Sequence, residues 1–171
     1  SLNLEVSSHL AEGKLLEHIQ TAQSVTKLVL QDVREVVSSL RGKDSFDLGR
    51  AICTLTRDIP RPGIHLHVPE DLGIYDPVRA ETILRCVQEI ITNTVRHSGA
   101  LNLWIELVRT AHGVEVRARD DGRGVKHLRA GNGLTGMRER VQHVGGHLEI
   151  ESTPGAGFRL TARIPIAESS S

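Results

Sequence analysis

The chain predicts an α/β two-layer sandwich preceded by a helical hairpin, and three observations carry that expectation. Strand-like runs fall at about 64–68, 101–109, 113–119, 147–152 and 157–164, and helical periodicity falls at about 46–58, 77–97 and 134–144. Runs of strands with helices gathered on one face make a two-layer sandwich. Ahead of them, residues 14–41 carry a long amphipathic helical pattern of different character.

In that N-terminal stretch Leu15, Leu16, Ile19, Val25, Leu28, Val29, Val33, Val36, Val37 and Leu40 recur at mostly three- and four-residue intervals. Gly13 separates this long amphipathic helix from a shorter helical run, Leu2 to Leu10. A helix pair with so apolar a stripe needs a partner. A four-helix bundle made by two chains supplies one; packing on its own domain is the alternative. Gly42-Lys43 is the natural boundary, giving an accessory segment, 1–42, and a globular domain, 43–171. Asp44-Ser45 is expected to cap the helix that starts near Phe46, and Asp76-Pro77 to start the next with proline in its first turn. The run Gly113 to Arg119 alternates, placing Val114, Val116 and Ala118 on one strand face.

Composition narrows the function classes. Twenty-one basic and 21 acidic residues balance to zero formal charge, so no basic excess argues for nucleic acid. Cys53 and Cys86 lie in apolar helix-like stretches without a C-x-x-C pair, which predicts free buried thiols in a reducing compartment rather than a disulfide or a zinc site. No apolar run approaches a membrane span, and no signal peptide opens the chain. His65-x-His67 points both imidazoles to one strand face, with no third ligand at a metal-site spacing.

The stretch Glu89 to His97 carries the most chemistry. Positions three and four apart share a helix face, so Glu89, Asn93, Arg96 and His97 can converge on one ligand while Ile90, Ile91 and Val95 pack inward. Mg²⁺ takes oxygen ligands and keeps several waters, and an Asn93 amide oxygen with triphosphate oxygens would suit it. Arg96 would balance phosphate charge; two unit charges about 4 Å apart attract by about 4 kcal/mol at an effective dielectric near 20. Taken alone, the stretch is equally an amphipathic helix with a polar outer face.

Three glycine clusters follow. Asp120-Asp121-Gly122-Arg123-Gly124 ends a strand, where a carboxylate can accept from an exocyclic amine and glycines let backbone approach a ligand, although by itself this is an ordinary Asp-Gly turn. Gly131-Asn132-Gly133-Leu134-Thr135-Gly136 precedes a helix, where free N–H groups suit phosphate. It matches a dinucleotide-binding fingerprint in letters only, because the preceding Lys126 to Ala130 is a polar loop and not a buried strand. No Walker-type phosphate loop occurs. Thr153-Pro154-Gly155-Ala156-Gly157-Phe158 alone is a hairpin connection.

Together, Glu-x-x-x-Asn-x-x-Arg-His at 89–97, Asp-x-Gly-x-Gly at 120–124, Gly-x-Gly-Leu-x-Gly-Met-x-Glu-Arg at 131–140 and Pro-Gly-x-Gly at 154–157 resemble the N box and glycine boxes of the GHKL ATPases. That superfamily holds histidine kinases, gyrase B, MutL and heat-shock chaperones. The helix of the third box, followed by Gly145-Gly146 and Glu151-Ser152-x-Pro154-Gly155, is similar to sensor histidine kinases that partner NarL/LuxR-type response regulators. The resemblance covers roughly 46–166.

The resemblance implies the Bergerat, or histidine-kinase ATPase, fold, with ATP and Mg²⁺ as cofactors. Asn93 would ligate Mg²⁺ and Asp120 would read adenine. Gly122, Gly124, Gly131, Gly133 and Gly136 would form the hinges and backbone of the ATP lid. Asn132, Leu134, Met137 and Gly157 complete the implied nucleotide set, and Arg96 and His97 would face the phosphates. Glu89 holds the position of a general base in hydrolysing relatives; in kinases, activation of the attacking imidazole is one role open to it. The short 125–130 segment lacks the phenylalanine-bearing box of larger kinases, as in the resembled subfamily. Val33 to Arg41 is similar to the end of the second dimerisation helix, which implies a homodimer through the N-terminal helices.

One departure stands out. The acceptor histidine of these kinases lies in a motif close to Glu-Leu-His-Asp, and none occurs here; His9, before Leu10-Ala11-Glu12-Gly13, reads as a surface residue. The expectation is the catalytic domain of a cytoplasmic ATP-dependent protein-histidine kinase, cut from a longer protein whose inner-membrane anchoring, if any, lies in segments absent from this sequence. It would transfer the γ-phosphoryl group to a histidine for relay to the regulator, without direct nucleic-acid contact. A non-catalytic regulatory module of the same fold and a hydrolysing GHKL ATPase are the alternatives.

Overall fold

The computed structural model describes residues 47–57, 59–126 and 132–166. The expected hairpin over 1–42, the Asp44-Ser45 cap, Phe46 and Gly131 lie outside the described residues. Within them the order is α1 (Leu48–Arg57), β1 (Gly63–His67), α2 (Pro77–Asn93), a π-helical turn (Thr94–Ser98), β2 (Asn102–Thr110), β3 (Gly113–Asp120), α3 (Asn132–His143), β4 (His147–Ser152) and β5 (Phe158–Pro165). The two-layer α/β sandwich is the architecture found.

Helix starts follow local capping chemistry. α1 begins at Leu48 rather than near Phe46, because the Asp47 carboxylate accepts from the Arg50 N–H at 2.8 Å and so caps the first turn. α2 begins as expected, with Asp76 accepting from the Val78 N–H at 3.0 Å and Pro77 in the first turn. Its α-helical winding stops at Asn93, four residues earlier than the expected 97, and gives way to the π turn. α3 starts at Asn132, two residues before the expected Leu134, so Gly133 lies within its first turn and not ahead of it.

The sheet runs β1-β2-β3-β5-β4, with β1 parallel to β2 and every other pair antiparallel. Alternation sorts its two faces. Leu103, Ile105 and Leu107 of β2, Val114, Val116 and Ala118 of β3, and Leu160, Ala162 and Ile164 of β5 are all buried. Onto them pack Ile83, Val87, Ile90 and Ile91 of α2 and Met137 and Val141 of α3, while Leu48, Ile52 and Leu55 bring α1 into the same core. Each such side chain contributes about 1.5–3 kcal/mol of transfer free energy, so the α2 stripe alone fixes which way that helix faces. Among the described residues no helix is long and apolar enough to cross a membrane. Cys86 is buried as expected, and burial pushes its thiol up to about 12; Cys53, expected inside, is exposed on the polar side of α1.

Candidate functional site

The inward alternation of β3 continues past Ala118 to Asp120, which places a carboxylate on the helix-covered face at the strand's end. Asp120 is 7% exposed, and its Oδ1 accepts from the Gly122 N–H at 2.8 Å. Burial raises its pKa above the ordinary aspartate range; hydrogen bonds from the Gly122 and Phe158 N–H groups and the Thr94 hydroxyl pull it back, and the Asp121 charge adds to the rise. Thr94 is itself buried, with its hydroxyl donating to the Ile90 carbonyl at 3.0 Å. Its one proton therefore faces two acceptors, Ile90 O and the Asp120 carboxylate.

The loop after Asp120 is stapled on both sides. The Arg123 N–H donates to Ser98 O at 2.9 Å, the end of the π turn, and the Gly155 N–H donates to Arg123 O at 2.7 Å. Ser152 Oγ accepts from the Val125 N–H at 2.9 Å and donates to Gly157 O at 3.0 Å. Gly122 and Gly124 thus lie between the end of α2 and the β4–β5 hairpin. Gly157, at φ +77°, passes so close behind β3 that a Cβ there would stand 2.1 Å from Asp120 O.

On α2, Asn93 Nδ2 donates to Glu89 Oε1 at 2.9 Å, an i to i+4 contact along one face. The bond uses the amide's nitrogen side and leaves its oxygen as the acceptor end. Gly133 brings the first turn of α3 against this pair: a Cβ on it would lie 1.8 Å from Glu89 Oε1. Glu89, Asn93 and the α3 N-terminus are therefore neighbours. Leu134 and Gly136 are half-buried on the same helix.

Two expectations change. Met137 is fully buried in the core, where its side chain holds α3 on the sheet. Arg96 and His97 are exposed and lie in the π turn, where winding is wider than α; the face-sharing argument that joined them to Glu89 and Asn93 ends at Asn93. The sequence reading missed Thr94 and Asp121. Asp121 accepts from the Leu101 and Asn102 N–H groups at 2.8 and 2.9 Å and from Asn102 Nδ2 at 2.8 Å, contacts that hold its carboxyl below the usual range, with the Asn102 side chain the largest contributor. It ties the start of β2 to the loop. Adjacency to Asn93 and Asp120 was the only signal for either residue.

The arrangement offers a buried hydrogen-bond acceptor, a carboxylate–amide pair whose amide oxygen bonds to no described residue, and a helix N-terminus beside that pair. Among the described residues no cluster of three His, Cys, Asp or Glu side chains could hold a metal ion alone. The donor set nevertheless fits Mg²⁺ carried in on a polyphosphate, since that ion needs one or two protein oxygens and fills its other positions with phosphate and water.

Residues 79–168 match the family described as histidine kinase-, DNA gyrase B- and HSP90-like ATPases. Among curated proteins the chain is similar to the sensor histidine kinase YxjM of Bacillus subtilis, 31% identical over 86% of this chain and 37% of that protein. It is also similar to the sensor protein VraS of Staphylococcus aureus, 28% identical over 93% and 49%. The chain thus spans less than half the length of these relatives. Among solved structures, the histidine kinase domain of a blue-light activated kinase from Erythrobacter litoralis shares the fold with a TM-score of 0.63, 23% identity and coverage of 94% of this chain and 89% of that one. The ATP-binding domain of PrrB from Mycobacterium tuberculosis superposes with a TM-score of 0.53 at 28% identity, over 69% of this chain and 90% of that one.

Proposed function

The chain belongs to the family of histidine kinase-, DNA gyrase B- and HSP90-like ATPases, and from that premise we propose that it is the ATP-binding catalytic part of a sensor histidine kinase that signals to a NarL/LuxR-type response regulator. The observation that carries the reading is Asp120, a buried carboxylate at a strand end that Gly122 and Gly157 approach more closely than any side chain would allow. In this reading Asp120 accepts from the adenine amino group. Asn93 offers its amide oxygen to Mg²⁺, with Glu89 orienting the amide and available to take a proton from an attacking imidazole. Gly122, Gly124, Gly131, Asn132, Gly133, Leu134, Gly136 and Gly157 supply close backbone around the nucleotide, and Arg96 and His97 approach the phosphates from the exposed π turn. Mg²⁺ bound with ATP neutralises phosphate charge; the protein's share of phosphoryl transfer is positioning.

Residues 1–42 are assigned to dimerisation and 43–171 to nucleotide binding. None of the nine histidines in the chain is assigned as the phosphoacceptor. That the curated relatives are sensor histidine kinases favours this reading over a hydrolysing ATPase.

The Asn93→Ala variant tests the metal role. Titrating ATP into wild type with and without Mg²⁺ should show a clear gain in affinity from the metal, and the variant should lose that gain while its thermal unfolding stays close to wild type. A variant with undiminished Mg²⁺ dependence would remove Asn93 from the metal site.

A further inference from the structure

The sheet face away from the helices carries no described element. Its register rows are unevenly charged. One row runs His67, Glu106, Arg117, Thr161, Glu149 across the strands, and the next holds Glu115 and Arg163. There the charges neutralise one another: Arg117 pairs with Glu115 and Glu106, and Arg163 pairs with Glu115 and Glu149. The row His65, Trp104, Arg119, Arg159, Glu151 differs. Arg119 and Arg159 stand directly opposite on β3 and β5, and neither makes an ion pair or hydrogen bond with any described residue, Glu151 included. Like charges directly opposite on neighbouring strands destabilise a sheet. Among the described residues no carboxylate offsets this pair.

The surroundings of this pair are fixed in place. Asp121 holds Asn102 through three hydrogen bonds, and Asn102 Oδ1 meets His65 Nε2 at 3.1 Å. His65 is stacked on Trp104 at 5.3 Å between ring centroids, and the Arg119 guanidinium lies over the same ring at 4.2 Å. His65, Trp104, Arg119 and Arg159, with the paired Glu106 and Arg117 beside them, line an open groove of about 640 Å³, within the range of small binding clefts.

We propose that this groove docks an acidic peptide segment of a partner protein, whose carboxylates bridge Arg119 and Arg159. Charge complementarity selects the occupant: a carboxylate offsets the two opposed cations and takes bidentate hydrogen bonds from their guanidinium groups, of which that of Arg119 is already held over Trp104. A nucleic acid fits less well, since the Trp104 ring on which a base would stack is already taken by His65 and Arg119.

The test uses the whole chain and a fluorescein-labelled oligoglutamate peptide, followed by anisotropy at low and physiological salt. Wild type should bind and weaken with salt. Arg119→Gln/Arg159→Gln should lose at least about ten-fold in affinity, as expected for losing one charged hydrogen-bonded contact, while ATP affinity and circular dichroism stay unchanged. Arg119→Glu/Arg159→Glu should instead prefer an oligolysine peptide. No peptide binding by wild type, equal binding by the Gln variant, or tighter binding of single-stranded oligothymidine through the same residues would each overturn the proposal. So would self-association of the chain that the Gln variant abolishes, which would make a second copy the occupant.

Discussion

The binding role proposed for Asp120 comes at the expense of stability. Its carboxyl titrates above the ordinary aspartate value because burial disfavours the charged form. A carboxyl whose folded pKa is raised adds stability below its unfolded pKa and loses that contribution as pH rises through the folded value. Asp120→Asn, which keeps an acceptor but cannot ionise, should therefore be more stable than wild type at neutral pH, with the advantage shrinking toward pH values below the normal aspartate range. Paired thermal melts across pH check this, and a constant difference would mean that Asp120 is not penalised by burial. The linkage has a second consequence under the proposed role. If ATP binds only the carboxylate form, binding should release protons in mildly acidic buffer, measurable as a calorimetric enthalpy that depends on the buffer's ionisation heat. At this scale the sequence pointed to candidate residues where residue type and spacing jointly suggested a chemistry, as at Asn93 and Asp120, and the fold sets Asp120 in a buried place and Asn93 against Glu89. The sequence was silent on Thr94, whose hydroxyl gains meaning only when β3 is folded beside α2, and it did not separate the motif position of Met137 from the core position its apolar side chain occupies.

At the scale of elements, the glycines separate into those that meet backbone and those that meet a movable side chain. Gly157 combines positive φ with a backbone oxygen 2.1 Å from its virtual Cβ, and neither can relax without shifting β3. Gly157→Ala should cost at least about 2 kcal/mol in urea unfolding. At Gly133 the obstacle is the end of the Glu89 side chain, which can swing away by giving up Asn93. Gly133→Ala should accordingly cost less than about 1 kcal/mol yet weaken Mg²⁺-dependent ATP binding. Equal stability losses at the two positions would contradict this division. Element order and most boundaries were legible because alternation in the strands and the α2 stripe are strong, periodic signals. The departures have local causes: Asp47 captures the cap of α1, the chain widens into a π turn after Asn93, and α3 picks up one more half-turn at its glycine-rich start.

For the whole molecule, the proposal divides labour between an N-terminal segment that joins two chains and a sandwich that presents the nucleotide site at one end. Sedimentation of the chain should show a dimer, and Val29→Glu/Val36→Glu, placed in the apolar stripe over 14–41, should shift it to monomer without loss of ATP binding. A monomeric wild type would refute the pairing role. The sandwich was readable from the sequence because its core depends on short-range patterning. The charge imbalance of the outer sheet face was not, since it exists only once register sets Arg119 against Arg159. The central claim is that the site at the end of β3 binds ATP through Asp120, and base selectivity tests it most directly. Guanine carries a carbonyl where adenine carries its amino donor, so competition against a labelled ATP analogue should show ATP well ahead of GTP in wild type. Asp120→Ala should abolish that preference. Equal competition by ATP and GTP in the wild-type chain would contradict the account.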